Sequence, residues 1–505
     1  MAFGTMTSRV LGQVRESLLA YYFDKRITDA FAAAFRVPNL FRRLLGEGSL
    51  SVSFIPVFVD ANLDSHKRAQ NLVNSVYTFL LIILGILLTL GFIYPEFLLR
   101  ILLDAKYIAD VEKFALTVRL ARIMFGFLFF ISSYAFMMGI LNALGQYALP
   151  AMAPTFLNIA MILFTMAPNN WFAVTGDQLA MGVLVGGVLQ ALILVPALFK
   201  SGFLPKLTLD FSNTDFRRVL KSMGPGLLGL GLLQITTIIN LRFSSSLQEG
   251  TISIISYVDR LIELPLSLVS VSLGTALLPA LSQFKSRGMS EQFAQTSRRY
   301  LELNLLMTMA ASAGLFTLAH PIVQLLFGRG RFGPDMVDAA SAVLQTYCWI
   351  MIFSSGVRVL TPAYYAVKNT WFPATTSCVC LVVHIFLAPT LMARYQVQGL
   401  MISTTVSAFL NFALLLGFYK KLIGEFEFTA FIKNIFMYVF LAAVTAAAAG
   451  VYFLFELGTG GTFRLFMMTF GSVAFAVAVF ISVGYVCKIT AVHEVVERIR
   501  RRVKK

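Results

Sequence analysis

The chain has 505 residues, of which 58% are hydrophobic and only 13% charged, with a formal net charge of +16. A soluble domain carries about 25% charged residues, so this composition excludes an ordinary soluble protein and points to a polytopic helical membrane protein. Its basic excess invites a nucleic-acid reading, but the cations lie in loops between apolar blocks, and no nucleic-acid partner is expected.

Apolar blocks such as Val76 to Ile93, Phe436 to Leu454 and Leu465 to Val483 each approach the ~20 residues that cross the hydrocarbon core. In chain order the pattern predicts about fourteen spans, near 3–24, 29–58, 71–99, 115–142, 149–168, 178–200, 218–247, 252–283, 296–328, 338–367, 371–393, 398–422, 429–456 and 462–487. Breaks such as Pro168-Asn169-Asn170, Gly202 to Pro205, Gly330 to Pro334 and Gly458 to Gly461 separate them. On this plan one set of loops and the tail hold most of the Lys and Arg. The opposite loops hold Lys25, Arg26, Arg100, Lys106, Lys113, Arg329, Arg331, Arg394 and Arg464. The positive-inside rule then places both termini in the cytoplasm.

The first span reads Ser8-Arg9-Val10-Leu11-Gly12-Gln13-Val14-Arg15-Glu16. Arg9, Gln13 and Glu16 share one helix face, with Ser8 and Arg15 beside it. An arginine at mid-bilayer depth costs at least ~2.5–3.5 kcal/mol and cannot shed its proton. Such a group belongs beside a wet cavity visited by an anion, or in an internal ion pair such as Arg15 with Glu16 or Asp29. The second span joins Thr28-Asp29-Ala30-Phe31 to Val37-Pro38-Asn39-Leu40-Phe41-Arg42-Arg43 and Gly46-Glu47-Gly48. Pro38 removes a backbone hydrogen bond and predicts a kink.

Comparing the chain with itself reveals a repeat. Phe54-Ile55-Pro56 returns as Leu277-Leu278-Pro279, and Tyr147 to Pro150 returns as Thr370 to Pro373, both 223 residues later. Gly182 and Gly399 open a further matched pair of spans. Two six-helix lobes, 1–200 and 217–424, are predicted, followed by two additional helices over 429–487 and a basic cytoplasmic tail helix over 490–505. Inverted or parallel repeats of this kind enclose a substrate site. At the repeat-equivalent place of the second lobe stand Asp259, Arg260 and Glu263, with Pro265 following. Arg9, Arg15, Arg42 and Arg260 are therefore the expected anion-binding set, and Glu16, Asp259 and Glu263 the expected gating or ion-pair groups.

Cys348, Cys378, Cys380 and Cys487 form no CxxC pair, and His66, His320, His384 and His493 are scattered. No metal site, nucleophile–base pair or DxD motif emerges, so no cofactor and no enzymatic activity are expected. The coupling ion is left open.

These segments, together with Ala153-Pro154-Thr155-Phe156-Leu157-Asn158-Ile159 and Met223-Gly224-Pro225, resemble the MurJ (MviN) family. Its members are the lipid II flippases of the multidrug/oligosaccharidyl-lipid/polysaccharide exporter superfamily. The resemblance implies a two-lobed bundle with a cationic cavity that moves undecaprenyl-pyrophosphate-linked peptidoglycan precursor between leaflets of the bacterial inner membrane. It implies that Arg9, Arg15, Arg42 and Arg260 bind substrate with Asp29, supported by Ser8, Asn39, Glu47 and Ser253. It also implies a lipid-tail groove at the extra helices. A monomer is expected, with cell-wall synthesis proteins as candidate neighbours. The family's acidic and amide cation ligands have no counterpart around Cys378 to His384. Two other readings remain: export of another lipid-linked glycan, which the charge fits almost as well, and a multidrug/cation antiporter, which would need acids where arginine dominates.

Overall fold

The computed structural model describes residues 2–42, 50–454, 461–489 and 492–493. Arg43, Gly46, Glu47 and Gly48 lie outside the described residues, as does the expected tail helix except Val492 and His493. Every described element is a helix, and among the described residues there is no strand.

The first compact unit comprises residues 1–253 and the four-residue segment Arg329–Phe332. Its helices are α1 (Ala2–Tyr22), α2 (Lys25–Phe41), α3 (Leu50–Asp64), α4 (His66–Ile93), α5 (Pro95–Leu102), α6 (Ala105–Ala109), α7 (Val111–Ala143), α8 (Ala148–Thr165), α9 (Asp177–Leu192), α10 (Val195–Lys200) and α11 (Thr214–Ser245). Several of their starts are set by side chains that accept otherwise orphaned amides. Asp24 accepts from Ile27, Ser65 from Arg68, Asp110 from Lys113 and Asn213 from Asp215. At the centre runs α7, packed by α2, α4 and α9 around the buried rings of Phe54, Phe58, Phe125, Phe127 and Phe136. The repeat assigns α11 to the second lobe, yet α11 packs on α3, α4 and α5 and belongs by contact to the first unit.

The chain enters the second unit within α12 (Thr251–Leu266). There follow α13 (Ser272–Ser286), α14 (Ser290–Thr317), α15 (Ala319–Leu326), α16 (Pro334–Tyr347), α17 (Ile350–Ala366), α18 (Trp371–Gly417), α19 (Tyr419–Leu422), α20 (Phe428–Gly450) and α21 (Thr462–Val486). The backbone of α18 leaves helical geometry at Gln396, where φ is 50° and ψ −129°. Past that point the chain doubles back: Ser403 Oγ meets His384 Nδ1 at 2.9 Å and Ser407 bonds the Cys380 carbonyl. Gly399 permits the close approach, since a Cβ there would fall 2.3 Å from the Leu391 carbonyl oxygen. This hairpin agrees with separate spans over 371–393 and 398–422.

Helix boundaries follow the repeat. Adding 223 to the ends of α7, 111 and 143, gives 334 and 366, the start of α16 and the end of α17. The same offset carries the start of α8 to the start of α18, and the end of α1 to the end of α11. Pro150 and Pro373 each stand third in their helices.

Seven helical segments among the described residues are long and apolar enough to cross a membrane, and nine if two bent pairs, α14 with α15 and α16 with α17, each count as one span. Helix α1 is not among them. Its 21 residues include Arg9, Arg15 and Glu16, so the helix with the densest candidate site is also one of the least suited to lipid.

Candidate polyanion-binding site

On α1 the polar residues divide into a held set and an open set. Arg15, 5% exposed, forms an ion pair with Glu16. Its Nη1 donates to Asn158 Oδ1 at 3.0 Å and lies 3.4 Å from Met161 Sδ. Asn158, on α8, also donates from Nδ2 to the Ser8 carbonyl at 2.8 Å and to Ser8 Oγ at 3.3 Å. One amide thus fixes two neighbouring turns of α1. The internal pairing of Arg15 with Glu16, one of the two sequence alternatives, is present; the pairing with Asp29 is not.

Arg9 is different. It is half-buried, and among the described residues it has no hydrogen-bond or ion-pair partner. One turn on, Gln13 Nε2 is buried without any partner. Two donors four residues apart on one face therefore lack acceptors. Buried donors are almost always satisfied, so an anion carrying several oxygens would complete this pair.

On α2, Arg42 Nε donates to Asn39 Oδ1 at 2.9 Å. The amide one turn back holds the guanidinium plane, a bond that lysine could not reproduce in the same way. Glu47 lies outside the described residues.

Asp29, 1% exposed, is saturated by protein donors. Lys113 Nζ reaches Oδ2 at 2.9 Å, as does the Gly250 amide at 2.8 Å. The Ser253 amide and hydroxyl reach Oδ1 at 2.8 and 2.7 Å, and Thr28 Oγ1 sits 3.0 Å from Ser253 Oγ. The carboxylate caps the first turn of α12, where exposed amides and the helix dipole favour an anion. Lys113, counted in the sequence as a loop cation, is instead buried inside α7, and its ammonium also lies over the Tyr107 ring at 4.6 Å. Both oxygens of Asp29 are thus occupied by protein donors in this arrangement.

Arg260, Asp259 and Glu263 belong to the second unit, on α12. Tyr257, Val258, Leu261 and Ile262 are buried, which turns Arg260 and Glu263 to the exposed side, where they stand 3.7 Å apart. The structure therefore gathers Ser8, Arg15 and Glu16, pairs Asn39 with Arg42, and joins Asp29 to Ser253. Asn158 and Lys113 were not singled out from sequence. Asn158 lay within a recognised motif, but its partners are 143 and 150 residues away.

An all-helical transporter architecture accounts for these features. The fold matches a solved inward-facing multidrug resistance MATE family transporter of the MOP superfamily, with a TM-score of 0.69 and 14% identity, over 84% of this chain and 96% of that one. It matches a structure titled "Lipid II flippase MurJ, inward closed conformation" with a TM-score of 0.80 and 24% identity, over 96% of this chain and 98% of that one. The family model "Lipid II flippase MurJ" matches residues 19–481. A Bdellovibrio bacteriovorus protein described as "Probable lipid II flippase MurJ" is 46% identical over 503 residues, 99% of this chain and 95% of the relative. The chain belongs to the MurJ family, whose members are transporters, and with its apolar spans it is a multi-pass membrane protein of bacterial type.

Proposed function

We propose that the protein is a lipid II flippase. It carries undecaprenyl-pyrophosphate-linked peptidoglycan precursor from the inner to the outer leaflet of the cytoplasmic membrane by alternating exposure of its site to the two sides. Both termini face the cytoplasm, where the basic loops meet anionic headgroups. It works as a monomer without a cofactor, and cell-wall synthesis proteins are its expected neighbours.

The open donor pair of Arg9 and Gln13 carries this reading, because a pyrophosphate supplies the oxygens those donors lack. Arg42, oriented by Asn39, adds a second fork, and Arg15 is preset by Glu16 and Asn158. Arg260 contributes a further guanidinium. Glu16, Asp259 and Glu263 serve as ion-pair partners that hold the arginines before substrate arrives. The exposed apolar faces of α20 and α21, including Phe436, Phe440 and Phe470, suit contact with the polyprenyl tail.

Complementation of a strain depleted of its lipid II flippase tests the proposal. The wild-type chain should restore growth, whereas well-expressed Arg9→Ala and Arg42→Ala should not, and the lysine variants should rescue only in part. Export of cationic dyes that depends on Glu16, with no rescue of lipid II transport, would replace this reading with cation antiport. Rescue confined to strains lacking another lipid-linked glycan exporter would redirect the substrate instead.

A further inference from the structure

Between α10 and α11 runs the linker that joins the two repeats, and it contains no helix from Phe203 to Ser212. Its residues alternate. Phe203, Pro205, Leu207, Leu209 and Phe211 are apolar, while Lys206, Thr208, Asp210 and Ser212 between them are polar. A period of two belongs to an extended segment with two unlike faces.

Four hydrogen bonds lay this segment along α4. Gln70 Nε2 donates to the Leu204 carbonyl at 2.9 Å, and the Lys206 amide donates to Asn74 Oδ1 at 2.8 Å. The Thr208 amide donates to Thr78 Oγ1 at 3.1 Å, and Ser75 Oγ donates to the Asp210 carbonyl at 2.8 Å. From Gln70 to Asn74 to Thr78 the register is regular. Four residues of helix rise about 6 Å, and two residues of extended chain span about 6.6 Å. Rings peg both ends: Phe203 stacks on His66 at 4.3 Å between centroids, and Phe211 meets Phe216 at 5.4 Å.

Thr78 is the third residue of the apolar block that opens at Val76, so the segment reaches the edge of the hydrocarbon. Irregular backbone persists at that depth only where protein supplies its partners, and Gln70, Asn74, Ser75 and Thr78 supply them. The apolar row is left open, with Leu207 75% and Leu209 83% exposed. Lys200 and Lys206 are exposed on the same stretch of chain. Leucines at the edge of the hydrocarbon with cations beside them suit an anionic leaflet, where the apolar row meets acyl chains and the ammonium groups meet phosphates.

We propose that residues 203–211 form a membrane-interface strap: the polar residues of α4 hold its backbone, and Leu207 and Leu209 enter the acyl chains of the cytoplasmic leaflet. The choice of leaflet rests on the proposed topology, which puts the His66 end of α4 in the cytoplasm. The linker between the repeats is then a fixed, lipid-seated part of the first unit and not a free loop.

Two measurements on the full chain in vesicles of phosphatidylethanolamine and phosphatidylglycerol test this. In the first, the four native cysteines are replaced by alanine and a nitroxide is attached at Leu207→Cys, Leu209→Cys or Lys206→Cys. Labels at 207 and 209 should be reached by oxygen more readily than by a water-soluble nickel complex, and the label at 206 should show the reverse. In the second, hydrogen exchange is followed on the chain with its native cysteines. Asn74→Leu and Thr78→Val should each speed exchange at the Lys206 and Thr208 amides about tenfold, the scale of one lost hydrogen bond. Both replacements suit an apolar span, so the variants should insert normally. Labels at 207 and 209 reached mainly by the nickel complex would make the segment a cytoplasmic loop. Labels shielded from both reagents would mean that protein covers it. Either result, or exchange unchanged in both variants, would overturn the proposal. Neither measurement reads lipid II transport, so failure here leaves the flippase assignment standing.

Discussion

Asn158 binds Arg15 as acceptor at 3.0 Å while the same side chain donates to the backbone of Ser8. The amide therefore has its two ends committed to one helix, and an apolar or acidic replacement loses the donor, the acceptor or both.

Asn158→Leu should remove both bonds, leaving Arg15 with Glu16 and a weak sulfur contact. The expected loss of stability is about 1–3 kcal/mol, with transport abolished because α1 loses its register on α8. Asn158→Asp keeps an acceptor but adds a second carboxylate beside Arg15, so it should fold and still fail to flip lipid II. Thermal unfolding in detergent and complementation together check this; normal growth with Asn158→Leu would remove Asn158 from the site.

Lys113 and Asp29 form a buried pair, with side chains 6% and 2% exposed. Lys113→Met alone strands a carboxylate and should cost about 3–5 kcal/mol. Combined with Asp29→Asn, the loss should fall well below the sum of the single variants. A double-mutant cycle measured by unfolding gives the coupling, and additive effects would show that the two charges do not depend on each other.

Gly330 holds a φ of +64°, and a Cβ there would stand 2.3 Å from the Tyr21 carbonyl that accepts the Arg331 amide at 3.0 Å. Gly330→Ala should cost about 1–2 kcal/mol from the backbone alone and release this loop from the end of α1. Hydrogen exchange at the Arg331 amide should accelerate by at least roughly tenfold, the factor corresponding to ~1.4 kcal/mol. Gly333→Ala is the control, because it has an ordinary φ and no neighbour within 4 Å.

Asp215, in the first turn of α11, accepts a two-pronged bond from Arg68, at 2.7 and 2.8 Å. The Arg68 guanidinium holds its carboxyl below the usual carboxylate range. A depressed folded-state value stabilises the protein above the unfolded value, near 3.9, and that stability disappears as pH falls through the folded value. Asp215→Asn should therefore lower stability by about 1 kcal/mol at neutral pH, and the gap to wild type should begin to narrow below about pH 4 and close as pH falls through the folded value. A gap that does not narrow at all on acidification would assign the effect to packing.

The spans, the 223-residue offset and the arginines of α1 and α2 were legible because each is a local pattern: hydropathy, a repeated proline, or a charge inside an apolar run. Even the ends of α16 and α17 follow from those of α7 by that offset. What local pattern could not show was pairing at a distance. Lys113 lies at the edge of an apolar run and reads as a loop cation until Asp29, 84 residues earlier, supplies its counter-charge. Asn158 reads as one polar residue in a span, and its role depends on which helix packs beside it. The packing of α11 with the first unit was hidden for the same reason, since the repeat records ancestry and contact records geometry.

Helix α7 runs unbroken for 33 residues, but its repeat counterpart bends by 42° between α16 and α17. At the bend the Cys348 carbonyl accepts from Ser312 Oγ at 2.9 Å and from the Met351 amide at 3.2 Å, so a hydroxyl from α14 has entered the helical ladder. The equivalent position on α7 is Phe125, 1% exposed and deep in an aromatic core. The repeat thus holds two copies of one beam, of which one is unbroken and the other bent. The break belongs to one copy of the repeat alone, and a homologue that straightened α16–α17 would lose it without any change to its arginines.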